Sequence, residues 1–167
     1  MSTHSDHDSS TQDPERQPRL VEREPETTAV VHGVVSPAEV RAFFDEAFGA
    51  LGRVLREQRI PPRSAAFGLH HGAPGEKWDL EVGFVTGSEV RAEAGVVPGE
   101  LPGGRVARLT HHGGFEGLGE SWERLGSWIR EQGLRGGEDR WEVYVTQPTP
   151  DMDPRDLRTE LNWPISD

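Results

Sequence analysis

Residues 30–62, VVHGVVSPAEVRAFFDEAFGALGRVLREQRIPP, contain the change of pattern on which the fold turns. The stretch opens in β-branched residues, Val30, Val31, Val34 and Val35, that suit an extended strand. Ser36-Pro37-Ala38-Glu39 then matches a capping box, with proline at the first helical position. Beyond the box Val40, Phe43, Phe44, Ala47, Leu51, Val54 and Leu55 recur at helical spacing and share one face. Pro61-Pro62 prevents the helix from continuing. The strand reaches back to Leu20, with a break near Pro25.

Downstream, Ser64–His70 and Trp78–Thr86 read as strands joined by a turn over Gly72–Gly75. In the second run Trp78, Leu80, Val82 and Phe84 alternate with Asp79, Glu81 and Gly83, so one face is apolar and the other mostly acidic. The same order then recurs. Glu89–Val97 and Arg105–Thr110 read as strands around a loop at Pro98–Gly104. A helix over Phe115–Gln132 presents Phe115, Leu118, Trp122, Leu125 and Ile129, with Gly133 as its stop. Arg140–Thr146 and Leu157–Ile165 follow as strands, separated by a loop containing Pro148, Pro150 and Pro154. Strand, helix, strand, strand occurs twice. The expectation is an α+β fold of duplicated βαββ units, with halves at about 19–86 and 87–167. Such a duplication implies a pseudo-twofold axis and a groove where related elements meet.

Composition narrows the function classes. The chain has 167 residues, enough for one ordinary domain, and a formal charge of -11. That balance argues against direct nucleic-acid binding, which needs a basic stripe. No basic run suggests a membrane surface, and no long apolar stretch or leader is visible, so a cytoplasmic location is expected. With no cysteine there is no disulfide, thiolate metal site or cysteine nucleophile. Residues 1–18 lack any apolar residue after Met1 and read as a disordered tail. The paired histidines His70-His71 and His111-His112 point to opposite faces of a strand and cannot chelate one ion together. No metal and no cofactor is expected.

Several stretches resemble the GyrI-like family, which includes effector-binding domains of bacterial multidrug-sensing transcription regulators. LTHHGGFEGLGESWERLGSWIREQGL (109–134) resembles the family's His-x-Gly-Pro-Tyr turn and the helix after it. RWEVYVTQP (140–148) resembles its Glu-x-Tyr strand, and DLRTELNWPI (156–165) its closing strand. WDLEVGFVT (78–86) resembles the Glu-hydrophobic-Gly strand of the first half. The resemblance implies a curved, mostly antiparallel sheet with two helices on one side and a ligand groove on the other. It covers the ligand-binding part alone, because residues 1–18 are too short for a helix-turn-helix, and so implies a stand-alone domain at 19–167.

Glu142 matches the family glutamate that attracts lipophilic cations, and Tyr144 shares its strand face. A desolvated carboxylate gains most from a delocalised cation, and a tyrosine ring can stack on it. Glu81 and Glu160 hold equivalent places in the two repeats and are either groove carboxylates or structural glutamates. Asn162 stands where the family has tyrosine, which removes a stacking wall and leaves room. Trp78 and Trp141 begin strands and are either groove lips or strand-end packing, and His70 can reach the groove beside Gly68, where no side chain intervenes. Trp122 and Trp163 are assigned to the core.

The leading expectation is binding, by sequestration or sensing, of small aromatic, often cationic molecules. The family also includes hydrolases that open cyclopropane rings of DNA-alkylating compounds, for which Glu142 and Tyr144 would be the catalytic pair. A third reading is a protein partner, as in gyrase inhibitors of the family, or a second copy of the chain.

Overall fold

The computed structural model describes residues 17–72, 76–146 and 151–167. The expected disordered tail lies almost wholly outside those residues, as do the centre of the Gly72–Gly75 turn and the part of the proline-rich loop at 147–150. The strand run from Leu20 becomes two elements, β1 (Arg19–Arg23) and β2 (Glu26–Val35), divided at Pro25. Helix α1 spans Val40–Gln58. Before it the glutamate arm of the capping box forms, with the Ser36 amide and hydroxyl both donating to Glu39 Oε1 at 2.9 and 3.0 Å. The helix stops ahead of the two prolines, at Arg59, which takes the left-handed conformation (φ 60°) that glycine usually supplies.

Strands β3 (Phe67–His71) and β4 (Trp78–Val85) complete the first half. The second half contains β5 (Val97–Leu101), β6 (Gly104–His112), α2 (Leu118–Glu131), the short β7 (Arg135–Gly136), β8 (Asp139–Val143) and β9 (Arg158–Ser166). One expectation is corrected here. Glu89–Val97 is not a strand: Glu93 and Val96 bridge a tight turn through Ala94 (φ 51°) and Gly95 (φ 85°). The segment read as a loop, Pro98 included, is β5 instead. Val90 and Val96 are drawn under α1 as buried core residues, and Pro98 is tolerated because β5 is an edge strand.

All pairings are antiparallel, in the order β1-β6-β9-β8-β3-β4-β2-β5, with β7 paired to β9. Read from both ends, the order is symmetric about the β3–β8 pair: β5-β2-β4-β3 mirrors β1-β6-β9-β8. Each half therefore lends its first strand to the other, since β1 pairs with β6 and β5 with β2. The links β1–β2 (Glu24-Pro25) and β5–β6 (Pro102-Gly103) are short and tie opposite ends of the sheet together. The sheet must curl for those ends to approach, and Leu101 and Val106 meet in one buried cluster as a result.

Three cores follow. Inside the curl lie Val30, Phe67, Leu69, Val85, Leu101, Val106 and Trp141. On the outer face α1 packs on Ala29, Val90 and Val96, and α2 packs on Ala107, Leu109 and Leu161. Burial of each large apolar side chain contributes about 1.5–3 kcal/mol relative to exposure. Among the described residues no helix is long and apolar enough to cross a membrane.

Candidate ligand site between the helices

Strands β3 and β8 lie side by side at the centre, with Gly68 opposite Glu142 and His70 opposite Arg140. Strand alternation puts these four residues on one face. The pairing continues to the Tyr144 amide, which donates to Ala66 O at 2.9 Å, so Tyr144 points the same way as Glu142. That face carries the helices. Trp122 of α2 donates its indole N–H to Glu142 Oε2 at 2.9 Å, and Phe44 of α1 meets the Tyr144 ring at 6.0 Å between centroids. Glu142 thus lies on the helix-bearing face, among residues of both α1 and α2, and not on the side opposite the helices. The opposite side at this level is the inside of the curl, filled by Trp141, Phe67 and Leu69.

Glu142 is 8 % exposed. Its carboxylate accepts from two neutral donors, Trp122 and the Tyr144 hydroxyl (to Oε1, 3.0 Å), while His70 Nε2 stands 3.9 Å from Oε2. Arg140 is near, but its guanidinium lies over the rings of Trp122 and Trp163, at 5.0 and 4.7 Å from their centroids. Burial lowers the affinity of Arg140 for its proton, opposed by Glu142. Burial likewise holds His70 below 6.5, against the pull of Glu142, so this imidazole is mainly neutral at pH 7. Burial, then the Glu142 charge and hydrogen bond, push the Tyr144 hydroxyl well above 10.0. Aromatic rings continue on this face: Phe115 meets Tyr144 at 6.1 Å, and Trp78 meets His70 at 6.0 Å. The result is a buried carboxylate held by two neutral donors with several aromatic rings near it.

The expected site residues divide between two faces. Glu142, Tyr144, Gly68, His70 and Trp78 come together between the helices. Trp141, expected as a groove lip, is fully buried inside the curl beneath Arg23, because it alternates with Glu142 along β8. Asn162 is fully buried on that inner face too, accepting from Arg108 Nε at 2.8 Å and donating to Glu160 Oε1 at 3.2 Å. Glu160 and Glu81 also face inward, on opposite sides of the axis. None of these four meets Glu142.

Trp122, assigned to the core, packs with Trp163 at 5.7 Å yet aims its N–H at Glu142. An indole seldom buries that group unpaired, and this was the available signal. Arg140 was overlooked although it lies two residues before Glu142 on the same strand face. Phe44, one of the apolar stripe of α1, also reaches this site through the Tyr144 ring. His111 braces the turn before α2 through Ser121 Oγ (2.7 Å) and Gly114 O (2.8 Å).

The family model for the GyrI-like small molecule binding domain matches residues 16–166. Curated proteins give no match. Among solved structures, the C-terminal domain of EcmrR superposes with a TM-score of 0.76 at 17% identity, covering 90% of this chain and 97% of that one. Against EcmrR in its complex with DNA the values are 0.75 and 15%; 98% of this chain is covered, but only 62% of that chain. SAV2435 bound to tetraphenylphosphonium gives 0.67 at 14% identity, covering 90% and 94% of the two chains. A hydrolase from Listeria innocua gives 0.67 at 13%, covering 97% and 98%. At these identities the likeness speaks for the fold alone.

Proposed function

This chain belongs to the GyrI-like family of small-molecule-binding domains, and from that membership we propose that it binds small aromatic cations between its two helices. It would do so as a domain over residues 19–167 that sequesters or senses such compounds. The observation that carries the reading is Glu142: a buried carboxylate whose close partners are the neutral Trp122 and Tyr144 donors. A buried charge of this kind is unfavourable unless compensated, and a delocalised cation compensates it while its rings cover those of Phe44, Phe115 and Tyr144. The incoming cation takes the place beside Oε1 that the Tyr144 hydroxyl now holds. The structural relative SAV2435 binds tetraphenylphosphonium, which makes that cation a suitable probe.

The test is a tryptophan fluorescence titration with tetraphenylphosphonium. Saturable quenching is expected, with affinity about tenfold weaker in Glu142→Gln, the loss of one charge contact worth about 1.4 kcal/mol. Unsaturable quenching, or equal affinity in the variant, would exclude this reading.

A second reading rests on His70 and Tyr144 flanking the same carboxylate. Glu142 would orient a water that attacks the cyclopropane CH2 and passes its proton to the neutral His70; the ring C–C bond breaks towards the dienone, whose carbonyl oxygen takes the Tyr144 proton and becomes a phenol. The Listeria innocua relative is a hydrolase, and a duocarmycin-like cyclopropane compound is the substrate to try. Ring-opened product formed by the wild type and not by Glu142→Gln supports hydrolysis. Unchanged compound under excess protein excludes it for that substrate.

A further inference from the structure

The internal duplication lets one half serve as a template for the other. Leu69 faces Glu81 across β3–β4 as Val143 faces Glu160 across β8–β9, so Phe84 holds the place of Trp163 and Ala66 that of Arg140. The helix ends match as well. Arg59 and Gly133 both take the left-handed conformation (φ 60° and 76°), and Ile60 N donates to Leu55 O at 2.9 Å as Leu134 N does to Ile129 O at 3.1 Å. Phe48 and Gly52 of α1 therefore stand where Trp122 and Gly126 stand on α2. The ring pairs agree: Phe48 meets Phe84 edge-on at 5.6 Å, and Trp122 meets Trp163 edge-on at 5.7 Å.

What fills the two places differs. Over Gly126 the six-membered ring of Trp163 comes 3.2 Å from where a Cβ would stand, and the Arg140 guanidinium covers the indole at 4.7 Å from its centroid. Phe84 has a single ring and Ala66 only a methyl group, and a Cβ on Gly52 would meet nothing within 4 Å. The space left open is a cavity of about 450 Å³, walled by Phe48, Leu55, Ile60, Pro61, Pro62 and Phe84. The charged residues of its lining are Arg56 and Arg59, at the C-terminal end of α1. Arg56 holds the place of Arg130, whose guanidinium donates to Ser127 Oγ at 3.1 Å. The Arg56 and Arg59 side chains have no hydrogen-bond or ion-pair partner among the described residues. In a chain of formal charge -11 they stand unneutralised beside an apolar hollow. The lining shares no residue with the surroundings of Glu142.

We propose that this cavity is a second binding site, for a small aromatic carboxylate. The ligand ring lies over Gly52 and edge-on to Phe48, as the Trp163 indole lies over Gly126 and edge-on to Trp122. Its carboxylate pairs with Arg56 and Arg59, because a planar guanidinium offers two parallel N–H donors to two carboxylate oxygens. The two arginines turn cations away, so this site takes the charge opposite to that proposed for Glu142.

The probe is β-naphthoate, with β-naphthamide as its uncharged counterpart, and amide chemical shifts of the whole chain are the readout. Saturable shifts are expected at Gly52, Arg56, Ile60 and Phe84 with the carboxylate, and about tenfold weaker binding with the amide. Arg56→Gln should weaken β-naphthoate about tenfold. Gly52→Leu puts a side chain into the open space and should abolish binding, while its higher helix propensity raises the thermal midpoint. Should that variant fail to fold, Arg56→Gln on the exposed face of α1 decides alone. No saturable shift, shifts confined to residues around Glu142, equal affinity for the amide, or undiminished binding in a folded variant each overturn the proposal.

Discussion

The Tyr144 side chain lies directly across Gly68. A Cβ built on Gly68 would stand 2.7 Å from the Tyr144 hydroxyl oxygen and 3.7 Å from the Phe44 ring. Only a residue without a side chain lets that hydroxyl lie over β3 while it bonds Glu142, two residues earlier in its own segment. Gly68→Ala is therefore expected to push Tyr144 away and break its bond to Glu142. Denaturant unfolding should show a loss of about 1–3 kcal/mol, the usual cost of overpacking.

Tyr144 is the only tyrosine in the chain, so tyrosinate absorbance reports on it alone. Its hydroxyl is held well above 10.0, chiefly by burial and then by Glu142. A folded-state value above the unfolded one gives stability that is complete below pH 10 and lost as pH rises through the folded value. The folded protein should thus show little tyrosinate at pH 10, and Glu142→Gln should bring ionisation to lower pH. Ionisation of the native wild type near pH 10 would contradict this assignment.

The adjacent histidines should titrate on opposite sides of 6.5. Burial lowers His70, whereas His71 is also pulled down by burial but raised overall by Glu81 and Asp139. The signs differ for stability too. His71 stabilises the fold below about pH 6.5, and this is lost as pH rises through its folded value. His70 destabilises it as pH falls below about 6.5, because the unfolded imidazole takes the proton more readily. Imidazole chemical shifts against pH check both, and Glu81→Gln should lower His71.

Two tryptophan substitutions should differ in cost. Trp122→Phe removes the indole donor from a buried carboxylate, a bond to a charged group worth about 1.5–3 kcal/mol. Trp163→Phe removes only the neutral bond to Gly137 O, worth about 0.5–1.5 kcal/mol. Urea unfolding of the two variants tests the ordering. Equal losses would mean that ring packing, not the Glu142 bond, dominates at Trp122.

Much of this was legible from local pattern. The β-branched run before Ser36, the helical spacing after Glu39 and their recurrence before Gly133 identified both helices and most strands, because periodicity records which side of an element is buried. Period two also joined Glu142 to Tyr144. Pro98 and Gly99 misled the reading of β5, since propensity describes an interior strand and β5 is an edge, where a missing amide costs little.

The sequence alone determined the duplicated strand–helix order, the family and the pairing of Glu142 with Tyr144 on one face. Which face that was came from packing between distant elements, which brings Trp122 to Glu142 and Phe44 to Tyr144 from different helices. It likewise separated Glu81, Glu160, Asn162 and Trp141 from Glu142 and set them inside the curl. Alternation along a strand tells neighbours apart but does not say which side meets the helices. That choice depends on the exchange of β1 and β5 between halves, which curls the sheet through contacts distant in sequence.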